Sequence, residues 1–260
     1  SNSAVTTLPN PGSVNSLSGQ RDIVIDTVVP SVTLSSTTQN ITNQNPIPVV
    51  ITFSEAVTDL TVEDFTVVNG LLQNLTGSGS SYIIELVPQA QGVVQLQLKA
   101  GAVFDLANNT NSASLTLQRT YDSLRPSVRI YSSSADTSNT NIIPATIVFS
   151  ESVEQFTASD ITITNGTIAS FSGSGDTYSI GITPTTDGAV ELFIPQNVAF
   201  DSGGNGNLSS DTLSRFFDST PPRIIAVTST ANNGYYREGA SISIQVVCSE
   251  PVYVTGSPRL

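Results

Sequence analysis

Three segments, Asp26–Pro30, Asp122–Pro126 and Asp218–Pro222, each pair an aspartate with a proline four residues on, and they recur 96 residues apart. Between them the first two units align without gaps. Phe53, Ser54 and Glu55 match Phe149, Ser150 and Glu151; Asp64 matches Asp160; Asn69 and Gly70 match Asn165 and Gly166; Tyr82, Phe104 and Asp105 match Tyr178, Phe200 and Asp201. A period of this size is the mark of a tandem array, in which one structural unit is repeated along the chain. In the third copy Cys248, Ser249 and Glu250 take the place of Phe-Ser-Glu, three residues later than the period predicts. The organisation read from the sequence is therefore a tail of a preceding unit (1–25), whole units at 26–121 and 122–217, and the head of a further unit (218–260).

Within a unit the apolar residues follow a period of two. Val94, Leu96 and Leu98 alternate with Gln95, Gln97 and Lys99, as in a half-buried antiparallel strand. Ile242, Ile244, Val246 and Cys248 alternate with Ser243, Gln245 and Val247, which predicts a strand with Cys248 on its inward face as a buried structural thiol. No stretch carries a helical stripe. Short strands punctuated by Asn-Gly and Gly-Ser-Gly turns, in units near 100 residues, predict an all-β fold of tandem immunoglobulin-like β-sandwiches. A unit of this size can bury its own core. Proline in the short linkers restrains φ, so the expected arrangement is an extended rod.

Composition removes most catalytic and binding classes. The 260 residues hold no His, no Met, no Trp and one Cys. Without His there is no Ser-His-Asp or Cys-His machinery, and with one Cys there is no internal disulfide and no multi-cysteine zinc site. A formal net charge of −12, with Lys and Arg numbering 9 against 21 Asp and Glu, disfavours nucleic acid and anionic membranes as partners. No apolar run is long enough for a membrane-spanning helix. Tyr235 and Tyr236, adjacent in a predicted strand, are expected on opposite faces, one in the core and one outside.

The succession of Asp-x-x-x-Pro, Phe-Ser-Glu-x-Val, Asp-Phe/Ile-Thr, Asn-Gly and Phe-Asp with neighbouring asparagines resembles the bacterial Ig-like repeats of large secreted adhesins. The match covers Asp26–Phe217, and the segment from Gly234 to Val252 resembles a sister subtype. The resemblance implies an extracellular or cell-surface, secreted setting, often calcium-stiffened linkers, and no catalysis.

Tracing a sandwich onto the repeat places acids at one pole. The first strand leaves the linker at Asp26 or Asp122; the second returns and ends at Glu55 or Glu151; the third departs after Asp64 or Asp160. The loop before the last strand carries Asp105 and Asn109, or Asp201 and Asn205. Asp218 and Glu250 are the equivalents in the third copy. Carboxylates brought together repel unless a cation or hydrogen bonds compensate them. An all-oxygen set suits Ca2+ and disfavours zinc or copper. These twelve residues are the candidate calcium ligands. The competing expectation is that the same acids only bond loop amides and form Asx turns.

The function expected is a non-catalytic stalk segment of an adhesin-like surface protein. Its partners are the neighbouring repeats, with a cell-surface or glycan ligand met by domains outside 1–260. One alternative is a filament subunit in which residues 15–25 of one chain complete the third sandwich of the next. A carbohydrate-binding module of a surface enzyme is another. A glycosidase is disfavoured, because the same acids occur in every copy whereas an active site usually occurs once.

Overall fold

A computed structural model describes residues 10–14, 16, 19 and 25–256. The strand expected within 15–25 falls mostly outside these. By contact the chain forms two compact units, Ser1–Pro126 with Phe200–Gly206, and Ser127–Ala199 with Asn207–Leu260.

The first repeat is a sandwich of two antiparallel-dominated sheets. Its strands are β1 (Val32–Ser35), β2 (Ile41–Thr42), β3 (Ile47–Val57), β4 (Phe65–Val68), β5 (Gly70–Pro88), β6 (Gly92–Leu98) and β7 (Leu117–Tyr121). One sheet has the order β1-β3-β5 and the other β2-β7-β6-β4, with β2 lying parallel to β7. The period-two pattern works as the sequence predicts. Ile47, Val49, Ile51 and Phe53 on β3, with Ile84 and Leu86 beside them on β5, pack with Val94, Leu96 and Leu98 of β6 in the other sheet as one buried cluster.

The 19-residue β5 folds back on itself, so that Gln73 and Asn74 both donate to the Glu85 carboxylate. Gly77 makes the turn possible. Its φ is +115°, and a Cβ there would stand 2.4 Å from the Ser81 carbonyl oxygen, which no other residue tolerates.

The second repeat reproduces this plan with β8 (Val128–Tyr131), β9 (Thr137–Ser138), β10 (Ile143–Val153), β11 (Thr162–Thr164), β12 (Gly166–Pro184), β13 (Gly188–Phe193) and β14 (Leu213–Phe217). The sheets run β12-β10-β8 and β11-β13-β14-β9. Its core is richer in rings: Phe149, Phe156, Phe171 and Tyr178 meet edge-on or stacked at centroid distances of 5.0–6.0 Å.

The third copy differs from its expectation. Among its described residues the strands are β15 (Ile224–Ser229) and β16 (Ile244–Cys248), paired with each other. Ile244 and Val246 are 42% and 47% exposed, although their equivalents Ala145 and Ile147 are buried. Cys248 is half-buried rather than buried. A hairpin lacks the opposing sheet that desolvates the same side chains in the first two repeats. Tyr235 and Tyr236 are both exposed and lie outside any strand, so no alternation divides them between core and surface.

Burial on β3 predicts the effect of substitution along it. Ile51→Ala is expected to destabilise its sandwich by about 2–5 kcal/mol in denaturant unfolding. Thr52→Ser, one residue along on the outer face, should stay within about 0.5 kcal/mol. Equal effects would contradict the register.

Candidate metal centre

The pole of the first repeat is organised by Ser54. Its backbone N–H donates to the Ser31 carbonyl, and its hydroxyl oxygen accepts from the Ser31 N–H at 3.0 Å. Ser31 follows the linker proline, so this double bond pins the chain just beyond Asp26–Pro30 to the end of β3. Ser150 holds Ser127 in the same way, and Ser249 holds Arg223. Sequence reasoning singled out the glutamate of Phe-Ser-Glu and missed the serine. The signal was present: the serine recurs in all three copies, one position before the acid.

Beyond this clasp, β3 leaves its regular register. The pairing with β5 runs from Thr52 opposite Ser81 to Val57 opposite Gly79, an irregularity that re-aims the side chains between. Glu55 lies in that stretch. The β10–β12 pair breaks step at the corresponding place, between Val148 and Val153, around Glu151.

Asp105 comes from the long loop between β6 and β7, which two asparagines fix. The buried Asn111 uses its whole amide: Oδ1 accepts from the Ala102 and Val103 N–H groups, and Nδ2 donates to the Lys99 and Ser112 carbonyls. Asn109 donates its N–H to Asp105 Oδ1 at 2.8 Å and its amide Nδ2 to Asp105 Oδ2 at 2.8 Å, and it also reaches the Asp26 carbonyl at 3.2 Å. Asp26 itself accepts the Val28 N–H in an Asx turn.

The result is that carboxylate oxygens of Asp26, Glu55 and Asp105 lie within 4.8 Å of one another, and so do those of Asp122, Glu151 and Asp201. Asn205 donates to the Asp201 carboxylate and the Asp122 carbonyl, as Asn109 does in the first repeat. Asp64 and Asp160 are placed elsewhere. Each caps a single 3-10 turn by accepting from the backbone and hydroxyl of Thr61 or Thr157. Asp218 accepts the Thr220 N–H, and neither it nor Glu250 joins such a group among the described residues.

Charge is unevenly compensated here. For Asp105 burial opposes ionisation, but the bonds from Asn109 and Ala107 outweigh it and hold its pKa below the ordinary value. Glu55 has no such donors among the described residues. Desolvation, then the nearby charges of Asp26 and Asp105, push its pKa up. Asp105 stabilises the fold above the unfolded carboxylate range, and that contribution is lost as pH falls through its lowered value. Ionised Glu55 costs stability that protonation returns. Without divalent cations, Glu55→Gln is expected to raise the melting temperature at neutral pH and to lose that advantage in acid. A lower melting temperature at neutral pH would contradict this charge balance.

The profile of a family described as bacterial Ig-like domain matches residues 26–121 and again 122–216. Among solved structures the chain is similar to invasin, described as a bacterial integrin-binding protein, at 14% identity and a TM-score of 0.36, covering 84% of this chain and 47% of that one. It is similar to Yersinia pseudotuberculosis adhesin InvE at 15% identity and a TM-score of 0.26, covering 72% of this chain and 58% of that one. The C-terminal domain of the Streptococcus agalactiae AgI/II polypeptide BspA matches at 8% identity and a TM-score of 0.33, covering 72% of this chain and 99% of that domain. This chain thus spans roughly half the length of invasin and InvE. A comparison with curated proteins finds no match. With two tandem matches covering most of its length, and a sandwich at each, the chain belongs to the bacterial Ig-like domain family.

Proposed function

We infer that this chain is a non-catalytic stalk segment of an adhesin-like protein at the bacterial cell surface, and that calcium stiffens it at the pole of each repeat. One observation carries the reading: the same three carboxylates are gathered in both repeats, by the same clasp and the same loop. A joint is needed in every copy of an array, whereas an active site usually occurs once. Among the described residues no helix is long and apolar enough to cross a membrane, which fits a segment that projects from a surface.

Asp26, Glu55 and Asp105 would supply the first ion, and Asp122, Glu151 and Asp201 the second. An ion bound by the first set would join three places at once: the linker through Asp26, the end of β3 through Glu55, and the β6–β7 loop through Asp105. Calcium accepts this irregular all-oxygen arrangement and brings water to fill its coordination. It would also offset the desolvation of Glu55 and its repulsion by Asp26 and Asp105, which together raise the Glu55 pKa.

Calorimetric titration with calcium is expected to show two sites per chain, with dissociation constants of about 10⁻⁴–10⁻³ M as in extracellular modules. At a calcium concentration about 100 times the dissociation constant, each bound repeat gains roughly 2.7 kcal/mol, and a chelator lowers its melting temperature accordingly. Asp105→Ala should remove one of the two sites. No heat of binding, with melting unchanged by chelator, would defeat the calcium reading and leave the stalk reading in place. Small-angle scattering tests the latter, with an elongated monomer expected and a compact globule contradicting it.

One observation favours a second reading, the filament subunit. The exposed apolar face of β15 and β16, with Ile224 67% and Val246 47% exposed, is of the kind that strands from another chain complete. Sedimentation then shows oligomers of the whole chain and monomers of a chain ending at Phe217. Monomers in both cases would refute it.

A further inference from the structure

The sequence holds four Asn-Gly pairs, at Asn69, Asn165, Asn205 and Asn233. The fold treats them very differently. Asn69 sits at φ +54° with its amide donating to the Ala90 and Val93 carbonyls, and Gly70 after it opens β5. Asn165 has φ +55°, donates to the Thr186 carbonyl, and accepts from the Thr186 N–H and hydroxyl; Gly166 opens β12. Asn205 is buried and uses both ends of its amide, donating to Asp122 and Asp201 and accepting from Asn43.

Asn233 is exposed and outside any strand, and its side chain makes no hydrogen bond among the described residues. The next residue, Gly234, is open on all sides: a Cβ placed there would meet nothing within 4 Å. Its segment also contains the three residues by which the third copy departs from the 96-residue period.

We propose that Asn233 is a spontaneous modification site, at which the chain converts asparagine to aspartate and isoaspartate. The backbone nitrogen of Gly234 attacks Cγ of Asn233, a C–N bond forms, and the side-chain nitrogen leaves as ammonia with the proton given up by the attacking amide. The five-membered succinimide is then opened by water at either carbonyl. Opening at one side gives aspartate; at the other it gives isoaspartate, with a methylene inserted into the main chain. No oxidant, metal or enzyme is consumed. The glycine matters because it presents no Cβ to the incoming carbonyl and leaves the backbone free to rotate. Attack at the other three pairs first requires breaking the bonds that hold each amide, which is a local opening of the fold. The reaction makes the loop more acidic at one defined place and marks the age of the exposed surface.

Peptide mapping by mass spectrometry, after incubating the full chain at physiological temperature and mildly alkaline pH, tests this. In the folded chain, conversion at Asn233 is expected to be at least about tenfold faster than at the other three pairs, which react only through local opening. In guanidinium the four rates should converge to within about threefold, because the protection is a property of the fold. Gly234→Ala should slow the reaction at Asn233 and leave the remaining sites unchanged. Conversion of Asn69, Asn165 or Asn205 as fast as Asn233 in the folded chain would overturn the proposal. So would a reaction at Asn233 that is no faster folded than theirs, or one indifferent to Gly234→Ala.

Discussion

Everything at the pole of a repeat depends on two hydrogen bonds between Ser54 and Ser31. They fix the chain just after the linker proline against the end of β3, at the point where β3 leaves its register with β5. Asp26 lies shortly before the clasp in sequence and Glu55 immediately after it, so one small polar contact brings together acids almost thirty residues apart. The third acid, Asp105, arrives on a loop held by the four bonds of Asn111. A buried amide that satisfies all its donors and acceptors is a rigid mount, since any displacement strands several polar groups at once.

The electrostatics of the cluster are divided between geometry and charge. Asp105 is stabilised as an anion by amides aimed at it, and its lowered pKa records that. Glu55 is partly desolvated and faces the like charges of Asp26 and Asp105, and its raised pKa records the opposite. Together these groups form a site that is organised without a cation and has residual repulsion for one to relieve. A site already organised loses little entropy when it binds. The same three carboxylates are gathered around Glu151 in the second repeat.

The fold was legible because burial in a strand has a period of two, and Val94, Leu96 and Leu98 display it without ambiguity. The pole was legible because strands of a sandwich return to the same end. Legibility failed where a side chain had a nearer partner than the one topology offered. Asp64 and Asp160 point to the same end in a strand diagram, yet their oxygens cap the turn that begins at Thr61 or Thr157. Sequence alone does not tell a capping aspartate from a convergent one. Ser54 carries no charge, so a reading that follows carboxylates passes over it. In the third copy the pattern from Ile242 to Cys248 predicted burial, but periodicity reports which face a residue shares, and a second sheet must be present for that face to be dry.

Calcium held by the gathered carboxylates of each repeat is the proposal on which the rest turns. Anomalous diffraction from crystals grown in calcium would locate the ion. A peak is expected among Asp26, Glu55 and Asp105, with its equivalent among Asp122, Glu151 and Asp201. Strong density for all six side chains, with only water between them at saturating calcium, would contradict it.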